Sequence, residues 1–246
     1  MIKHSKLVRA VAFAIGLGSA LCVAQSDSSA PFSSVAVGIK ASLLGAGAEA
    51  ATPLSRRFNL RGGFNAFSYN RTFNKDGVAY AGQLTFRSGE AHLDWFPFGG
   101  SFHLSPGALI YNGNQIKANA SVLGGKTFTL NGATYTSDPA DPVTGLGKVD
   151  FKKAGPMFTL GWGNLLPRGH RRFSVPFEIG AIYTGAPQAA LTLAGSACDS
   201  NGANCTPIAS NPAIQANVLA EQNKLNKDMN AFKFYPVISI GFGIKL

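Results

Sequence analysis

The chain has 246 residues, of which 11% are aromatic and 14% are charged, with 29 glycines and a formal net charge of +10. Ordinary soluble domains carry about 25% charged residues, so this composition argues against a typical cytosolic enzyme, and it also lacks the high charge density of a disordered chain. The basic residues form no basic helix, which argues against nucleic-acid binding.

The N-terminus has the features of an export signal. Three basic residues precede the apolar run "AVAFAIGLGSALCV", and the small residues at 22–24 follow. This pattern predicts a signal peptide at 1–24, which leaves 25–246 as the mature domain. The apolar run is shorter than the roughly 20 residues of a membrane-spanning helix. A lipoprotein cleaved before Cys22 is an alternative, although Leu21 is a poor residue at that position.

Most of the remaining chain alternates apolar and polar residues with the period-two pattern of β-strands. Six strands are predicted, at 58–69, 80–95, 102–111, 151–162, 173–183 and 232–246. Leu84 and Phe86 have the opposite parity to Leu93 and Trp95, so a bulge is expected near Ser88. A single strand at 33–51 would give seven in total. Either this stretch folds as two short strands, or a long connection adds one strand, for instance "AALTLAG" or "KTFTLNGATY". Because bacterial barrels normally have an even number of strands, we predict eight.

Aromatic residues mark both ends of several predicted strands, as at Phe58 and Tyr69 or Phe173 and Tyr183. A tilted strand crosses the hydrocarbon layer in about 9–11 residues, and transmembrane barrels carry an aromatic girdle at each interface. This spacing predicts an antiparallel transmembrane β-barrel. Period two alone is also compatible with a secreted soluble β-barrel that binds a small hydrophobic ligand inside.

The predicted connections alternate between short and long, as in bacterial outer-membrane barrels, where periplasmic turns are short and extracellular loops are long. The short connections are 52–57, 97–100 and 164–172, and the long ones are 70–79, 112–148 and 184–230. The last strand then ends at the periplasmic rim and must pair with the first, because an unpaired edge is not tolerated in lipid.

The terminal segment "SIGFGIKL" has alternating apolar residues at Ile240, Phe242, Ile244 and Leu246. With the export signal and the alternating strands, it resembles the small outer-membrane β-barrel families typified by outer membrane protein A and outer membrane protein W. The resemblance implies a location in the outer membrane, contact with its lipid, and recognition of the tail by the barrel-assembly machinery. Leu246 departs from the aromatic residue that this pattern prefers at the last position.

Charged residues of the predicted strands lie opposite the apolar face and are expected to line the lumen. The candidates are Arg61, Arg87, Glu90, Asp94 and Glu178. An isolated charge in a low-dielectric interior is costly, so acids and bases there should pair. The interior of an eight-stranded barrel is barely wide enough for its side chains. The two functional hypotheses are therefore a closed, salt-bridged structural barrel and a narrow or gated passage for small solutes.

Two features fall in the last long connection. Cys198 and Cys205 are expected to form a local disulfide, since export leads to an oxidising compartment. A helix is predicted at 212–229, with Asn211 as its cap and Pro212 in its first turn. Its stripe of apolar residues is compatible with packing on the barrel rim, with a lid over the lumen, or with binding to a partner.

No pattern indicates a cofactor or a metal site. The sequence His103-Leu104-Ser105 is similar to the His-x-Ser of lipid A deacylases, but no acidic residue follows between Asp94 and Asp138. A non-enzymatic barrel is therefore predicted, with a lipid-acting barrel hydrolase as an alternative.

Overall fold

The computed structural model describes residues 30–75, 78–168 and 171–246. The predicted signal peptide lies outside them. The strands are β1 (Ala36–Ser42), β2 (Gly45–Pro53), β3 (Phe58–Lys75), β4 (Val78–Trp95), β5 (His103–Asn112), β6 (Gln115–Val122), β7 (Thr127–Leu130), β8 (Ala133–Ser137), β9 (Thr144–Asp150), β10 (Gly155–Trp162), β11 (Phe173–Ser174), β12 (Phe177–Tyr183), β13 (Gln188–Ala194), β14 (Ser196–Cys198), β15 (Thr206–Pro207) and β16 (Phe234–Lys245). A short 3₁₀ turn, Ile208–Ser210, precedes the helix α1 (Pro212–Met229).

Eight of these strands form a closed antiparallel barrel. Going round the barrel, β1, β2, β3 and β4 are followed by β5, β10, β12 and β16, and β16 pairs with β1. Ala36 lies opposite Lys245, and Ser42 lies opposite Ser239. The predicted antiparallel eight-stranded barrel is confirmed, as is its closure by the last strand.

The N-terminal stretch forms two strands rather than one. β1 and β2 are joined by a tight turn at Leu43 and Leu44, and Gly45 begins β2 with a positive φ of 115°. A side chain at position 45 would collide with Ala66 and Phe67 on the neighbouring strand. Glycine therefore permits the turn. The alternative in which 33–51 folds as two short strands is correct.

The barrel exterior is apolar. Side chains that point away from the axis are between 37% and 67% exposed: Val37, Ile39, Leu60, Phe64, Leu93, Phe158, Ile179, Ile238 and Ile240. Aromatic residues flank this belt. We call the end with the short turns periplasmic and the end with the long connections extracellular, following the usual pattern of bacterial barrels. The periplasmic girdle contains Phe58, Trp95, Trp162, Phe173 and Phe242, and the extracellular girdle contains Tyr111, Tyr183 and Phe234. This distribution is that of a membrane-spanning barrel and excludes the soluble alternative.

β3 and β4 continue beyond the barrel on the extracellular side. They join β6, β9 and β13 in an extension of the same sheet, so the predicted loop at 70–79 is wrong. The two strands pair without interruption from Phe58 with Trp95 to Lys75 with Val78. The apolar residues of the extension pack on the extracellular elements, so their pattern differs from that of a lipid-facing strand.

The remaining elements form a domain over this extension. A second sheet has the order β15, β14, β8, β7. Its core includes Val78, Val143, Ile208, Ile214 and Val218, and the disulfide between Cys198 and Cys205 is present. The two segments proposed as extra barrel strands, 126–135 and 189–195, belong instead to this extracellular part.

Helix α1 packs against β13 and β7. Asn211 caps it, since its side-chain oxygen accepts hydrogen bonds from the backbone of Ala213 and Ile214. The amide side chains of Gln222 and Asn226 bond to the backbone of β13, which is the edge strand of the large sheet. The helix thus covers a sheet edge. No helix in the described part of the chain is long and apolar enough to cross a membrane.

One strand start and the position of the bulge also differ from the prediction. The strand expected at 151–162 begins at Gly155, because the preceding residues connect the extracellular sheet to the barrel. The bulge lies at the expected level but on the other strand. Gly89 faces Tyr111 and Glu90 faces Leu109, so the extra residue is Ile110 of β5, and β4 keeps one parity throughout.

Candidate functional site

The barrel interior holds a buried network of charged residues contributed by six strands. β1 supplies Lys40, β2 supplies Glu49, β3 supplies Arg61, β4 supplies Glu90, His92 and Asp94, β5 supplies His103, and β12 supplies Glu178. Each is no more than 8% exposed. Four carboxylates therefore face one lysine, one arginine and two histidines, which is the pairing expected for a low-dielectric interior.

Arg61 is the centre of the network. Its Nε and Nη2 atoms donate to the two carboxylate oxygens of Asp94 at 2.9 and 3.0 Å. Its Nη1 atom donates to Glu49 at 3.1 Å and to Glu178 at 3.3 Å, and Nη2 also contacts Glu178. One guanidinium thus holds three carboxylates from three different strands, with the bidentate geometry that suits arginine.

Lys40 forms the second ion-pair group. Its ammonium contacts Glu90 and lies 3.5 Å from Glu49. Glu49 is shared between Lys40 and Arg61, so the two groups are continuous. Asn65 donates to Glu90 at 3.3 Å and extends the network towards the extracellular end.

The motif His103-x-Ser105 lies inside this network. The Nε2 atom of His103 is 3.0 Å from Glu178, and the Ser105 hydroxyl donates to Asp94 at 2.6 Å. Atoms of Asp94, His103 and Glu178 lie within 4.8 Å of one another, close enough for a metal ion. Arg61 already contacts both carboxylates, however, so the group is better described as part of the ion-pair network.

Four buried polar atoms facing the interior have no hydrogen-bond partner among the described residues. They are Oδ1 of Asn65, both ring nitrogens of His92, and Oγ1 of Thr159. Buried polar groups are normally satisfied by protein or by ordered water. This part of the interior is therefore polar and suited to water.

An apolar cluster covers the network on the extracellular side. It consists of Leu44, Leu109, Met157, Ile182 and Val237, which are at most 4% exposed. Tyr235 packs against it and donates from its hydroxyl to the carbonyl of Leu43 at 2.7 Å. Polar solutes entering from outside would meet this cluster before the charges.

The turn between β10 and β11 closes the periplasmic end. Leu165 and Leu166 are 3% and 6% exposed and pack with alanines of β1 and β2. Gly38 and Gly243 leave room for Leu165, because a Cβ atom on either would lie 2.5–2.6 Å from its Cδ1. Phe96, which is 1% exposed, fills the adjoining space beside the ring of His103.

The structure brings four of the five sequence-predicted lumen residues together. Arg61, Glu90, Asp94 and Glu178 are buried in the network. Arg87 is not with them: it is exposed, and its neighbour Ser88 occupies the inward position, so the inward prediction for Arg87 is wrong. The assumed change of parity within β4 misplaced it, because the bulge is on β5.

Sequence reasoning missed Lys40 and Glu49. Both lie in strands made mainly of alanine and glycine, where the two faces differ little in hydropathy. Val37 and Ile39 carry the available signal, because they alternate with Lys40 and point outward. Among the terminal residues, Ile240, Phe242 and Leu246 are exposed on the lipid side, and Ile244 is half-buried opposite Val37.

No protein-family model and no curated protein sequence matches this chain. Several solved structures share its fold, including two from Acinetobacter baumannii. Acinetobacter baumannii CarO is 20% identical, with a TM-score of 0.54 over 89% of this chain and 99% of that one. Acinetobacter baumannii CarO2 is 18% identical, with a TM-score of 0.55 over 87% and 98%. The likeness supports the fold derived above, a closed antiparallel eight-stranded β-barrel, as the alternating strands predicted.

Proposed function

We propose that this protein is a non-enzymatic, structural outer-membrane barrel whose closed interior anchors the extracellular domain. The observation that carries this proposal is the sequence of three barriers along the axis. The apolar cluster around Leu109 lies on the extracellular side, the network around Arg61 lies in the middle, and Leu165 lies at the periplasmic end. A solute would have to displace all three to cross.

The network supports a structural role. Its carboxylates contact Arg61, Lys40 or a hydroxyl, so they already have partners. Removing one member of a buried ion pair leaves an uncompensated charge and is strongly destabilising. The contacts of Arg61 join β2, β4 and β12 across the interior, which resists opening of the barrel.

The same contacts support a non-enzymatic role. A serine hydrolase needs a base within hydrogen-bond reach of its nucleophile. Ser105 donates to Asp94, whereas His103 interacts with Glu178 and with the carbonyl of Ser101. Both residues are at most 2% exposed, so a lipid substrate has no access to them.

Single-channel recording in planar bilayers tests the proposal. The refolded wild-type protein should give no stepwise current at moderate voltage. A variant in which Leu165 and Leu166 are both replaced by alanine should also stay silent, because the other two barriers remain. Reproducible unitary steps from the wild type would contradict the closed barrel.

A narrow, gated passage for small solutes is the second candidate. It is favoured by the unsatisfied polar atoms of Asn65, His92 and Thr159, which would line a hydrated path once the apolar cluster moved. Replacing Leu109 and Met157 by serine should then produce unitary currents, whereas a structural interior should remain closed. The same recordings therefore separate the two functions.

We also propose that Ile240, Phe242, Ile244 and Leu246 form the signal read by the barrel-assembly machinery. The support is their position on the last strand, which must be delivered to β1 for closure. Replacing Phe242 by serine should lower the amount of folded protein in the membrane of cells more than it lowers refolding in detergent. Equal losses in both settings would indicate a folding defect instead.

A further inference from the structure

The periplasmic rim carries unpaired positive charge. Arg56 and Arg57 lie in the turn between β2 and β3, and Arg168, Arg171 and Arg172 lie in the turn before β11. All five are exposed, and none forms an ion pair with a carboxylate among the described residues. The acids of the nearby strands, such as Asp94 and Glu178, are buried inside the barrel.

The turn before β11 and the turn between β4 and β5 form a defined cleft. It has a volume of about 470 Å³ and is lined on one side by Gly99, Gly100 and Ser101 and on the other by Arg168 and Arg171. Backbone hydrogen bonds hold the chain segments next to the cleft. The amide of Phe96 donates to the carbonyl of Arg57 at 2.8 Å, and the amide of Lys245 donates to that of Arg172 at 2.8 Å.

Arg168 is held in place within the cleft. Its Nη1 atom donates to the carbonyl of Gly99 at 2.9 Å, and its guanidinium carbon lies 4.8 Å from the ring centroid of Phe96. Partial burial and the neighbouring guanidinium of Arg57 lower the pKa of Arg168. The charge is therefore ordered, partly desolvated and close to a like charge, which favours binding of an anion.

The cleft continues into an apolar groove on the lipid-facing side. Val175 lines both spaces. The groove has a volume of about 570 Å³ and runs beside Ile39, Ile240 and Phe242, where the small residues Ala41, Ala46 and Gly47 leave room. Its walls lie in the apolar belt described above, so an acyl chain would be in contact with protein on one side and bilayer on the other.

We propose that the cleft and the groove form one binding site for an anionic phospholipid of the periplasmic leaflet. The phosphate lies between Arg168 and Arg171, and one acyl chain follows Val175 into the groove beside Ala46. Arginine suits this role because its planar donors match phosphate oxygens. The site is separate from the barrel interior, so it does not depend on whether the lumen conducts.

Native mass spectrometry of the protein released from lipid nanodiscs tests the site. The probes are phosphatidylglycerol and phosphatidylethanolamine of the same chain length. We expect preferential retention of one phosphatidylglycerol molecule. Replacing Arg168 and Arg171 by glutamine should weaken its binding by about fivefold for each arginine removed. The control variant, with Arg71 and Arg87 replaced by glutamine, loses the same charge elsewhere and should retain the lipid.

A groove variant and inorganic phosphate show whether the site binds a phospholipid or a free phosphate ion. Ala46→Phe fills the groove without changing charge and should reduce retention, whereas Ala48→Phe, on the same strand and the same face, should not. Inorganic phosphate should not displace the lipid. The proposal is overturned if phosphatidylglycerol and phosphatidylethanolamine are retained equally. It is also overturned if the Arg168/Arg171 variant retains as much phosphatidylglycerol as the Arg71/Arg87 control. A third contrary result is that inorganic phosphate displaces the lipid while Ala46→Phe leaves its retention unchanged. If loss of the Arg168–Phe96 contact prevents folding of the double variant, Arg171→Gln alone is measured instead, because it keeps that contact. Heat-modifiable migration on gels shows whether each variant has folded.

Discussion

Replacing Arg61 by methionine is the most direct test of the interior network. Methionine keeps a long, unbranched side chain but removes the guanidinium that contacts Glu49, Asp94 and Glu178. Three carboxylates would then face one another without their shared cation, in a site where Arg61 is 4% exposed. Breaking a buried ion pair in this way costs about 3–5 kcal/mol. We therefore expect the free energy of unfolding to fall by about that amount.

The measurement is equilibrium unfolding in guanidinium chloride with the protein refolded into detergent micelles. Trp95 and Trp162 report on it, because both lie half-exposed at the periplasmic girdle. Arg87→Met is the matched control and should change the free energy of unfolding by less than about 0.5 kcal/mol, since Arg87 is exposed.

A double variant separates charge from packing. Adding Glu178→Gln to Arg61→Met removes one of the stranded carboxylates, so the combined loss should be smaller than the sum of the two single losses. The network does not stabilise the barrel in the way described if the free energy of unfolding of Arg61→Met lies within about 1 kcal/mol of the wild-type value. The same conclusion follows if the losses of the two single variants simply add in the double variant.

Further variants test other levels of the fold. Asn211→Ala removes the helix cap and should lower the free energy of local unfolding of α1 by about 1 kcal/mol, measured by hydrogen exchange. Cys205→Ser removes the disulfide and should destabilise the same domain by about 2–3 kcal/mol. The heat-modifiable migration of the barrel should not change. Ile240→Arg places a charge on the lipid-facing side and should lower the free energy of unfolding in lipid by about 2–4 kcal/mol near the bilayer midplane, and by less near the interface. Leu165→Ala should lower the free energy of unfolding in the same assay by about 2–5 kcal/mol, because it leaves a cavity in a buried cluster. Unchanged stability would show that the periplasmic turn does not pack as described.

The barrel strands were predictable where large apolar and charged residues alternate. In β3, Leu60 and Phe64 point outward and Arg61 and Asn65 point inward, and the sequence alone assigns both faces. In β2, alanine and glycine occupy most positions, so Glu49 was the only strong indicator and was missed. The strength of the pattern thus depends on the difference in transfer free energy between neighbouring residues.

The extracellular domain was not predictable from the rules that identify lipid-facing strands. Leu84 and Phe86 have the same parity as the inward residues Glu90 and Asp94, because β4 keeps one parity across the bulge level. Within the bilayer that face meets the charged network, whereas above it the same face meets aromatic residues such as Tyr235. The change of environment along one strand, rather than a bulge in it, reverses which residue type faces inward.

The same energies that made some strands predictable also fix their register in the folded protein. A slip of β3 by one residue against β2 would turn Arg61 towards lipid and Leu60 into the charged interior. The exposed charge alone would cost about 2–4 kcal/mol near the bilayer midplane, in addition to the lost contacts with Asp94. In β1 the corresponding penalty comes from Lys40, and closure also places Gly38 and Gly243 beside Leu165. Register in the small-residue strands therefore depends more on packing against the periplasmic turn, which a pattern of hydropathy does not record.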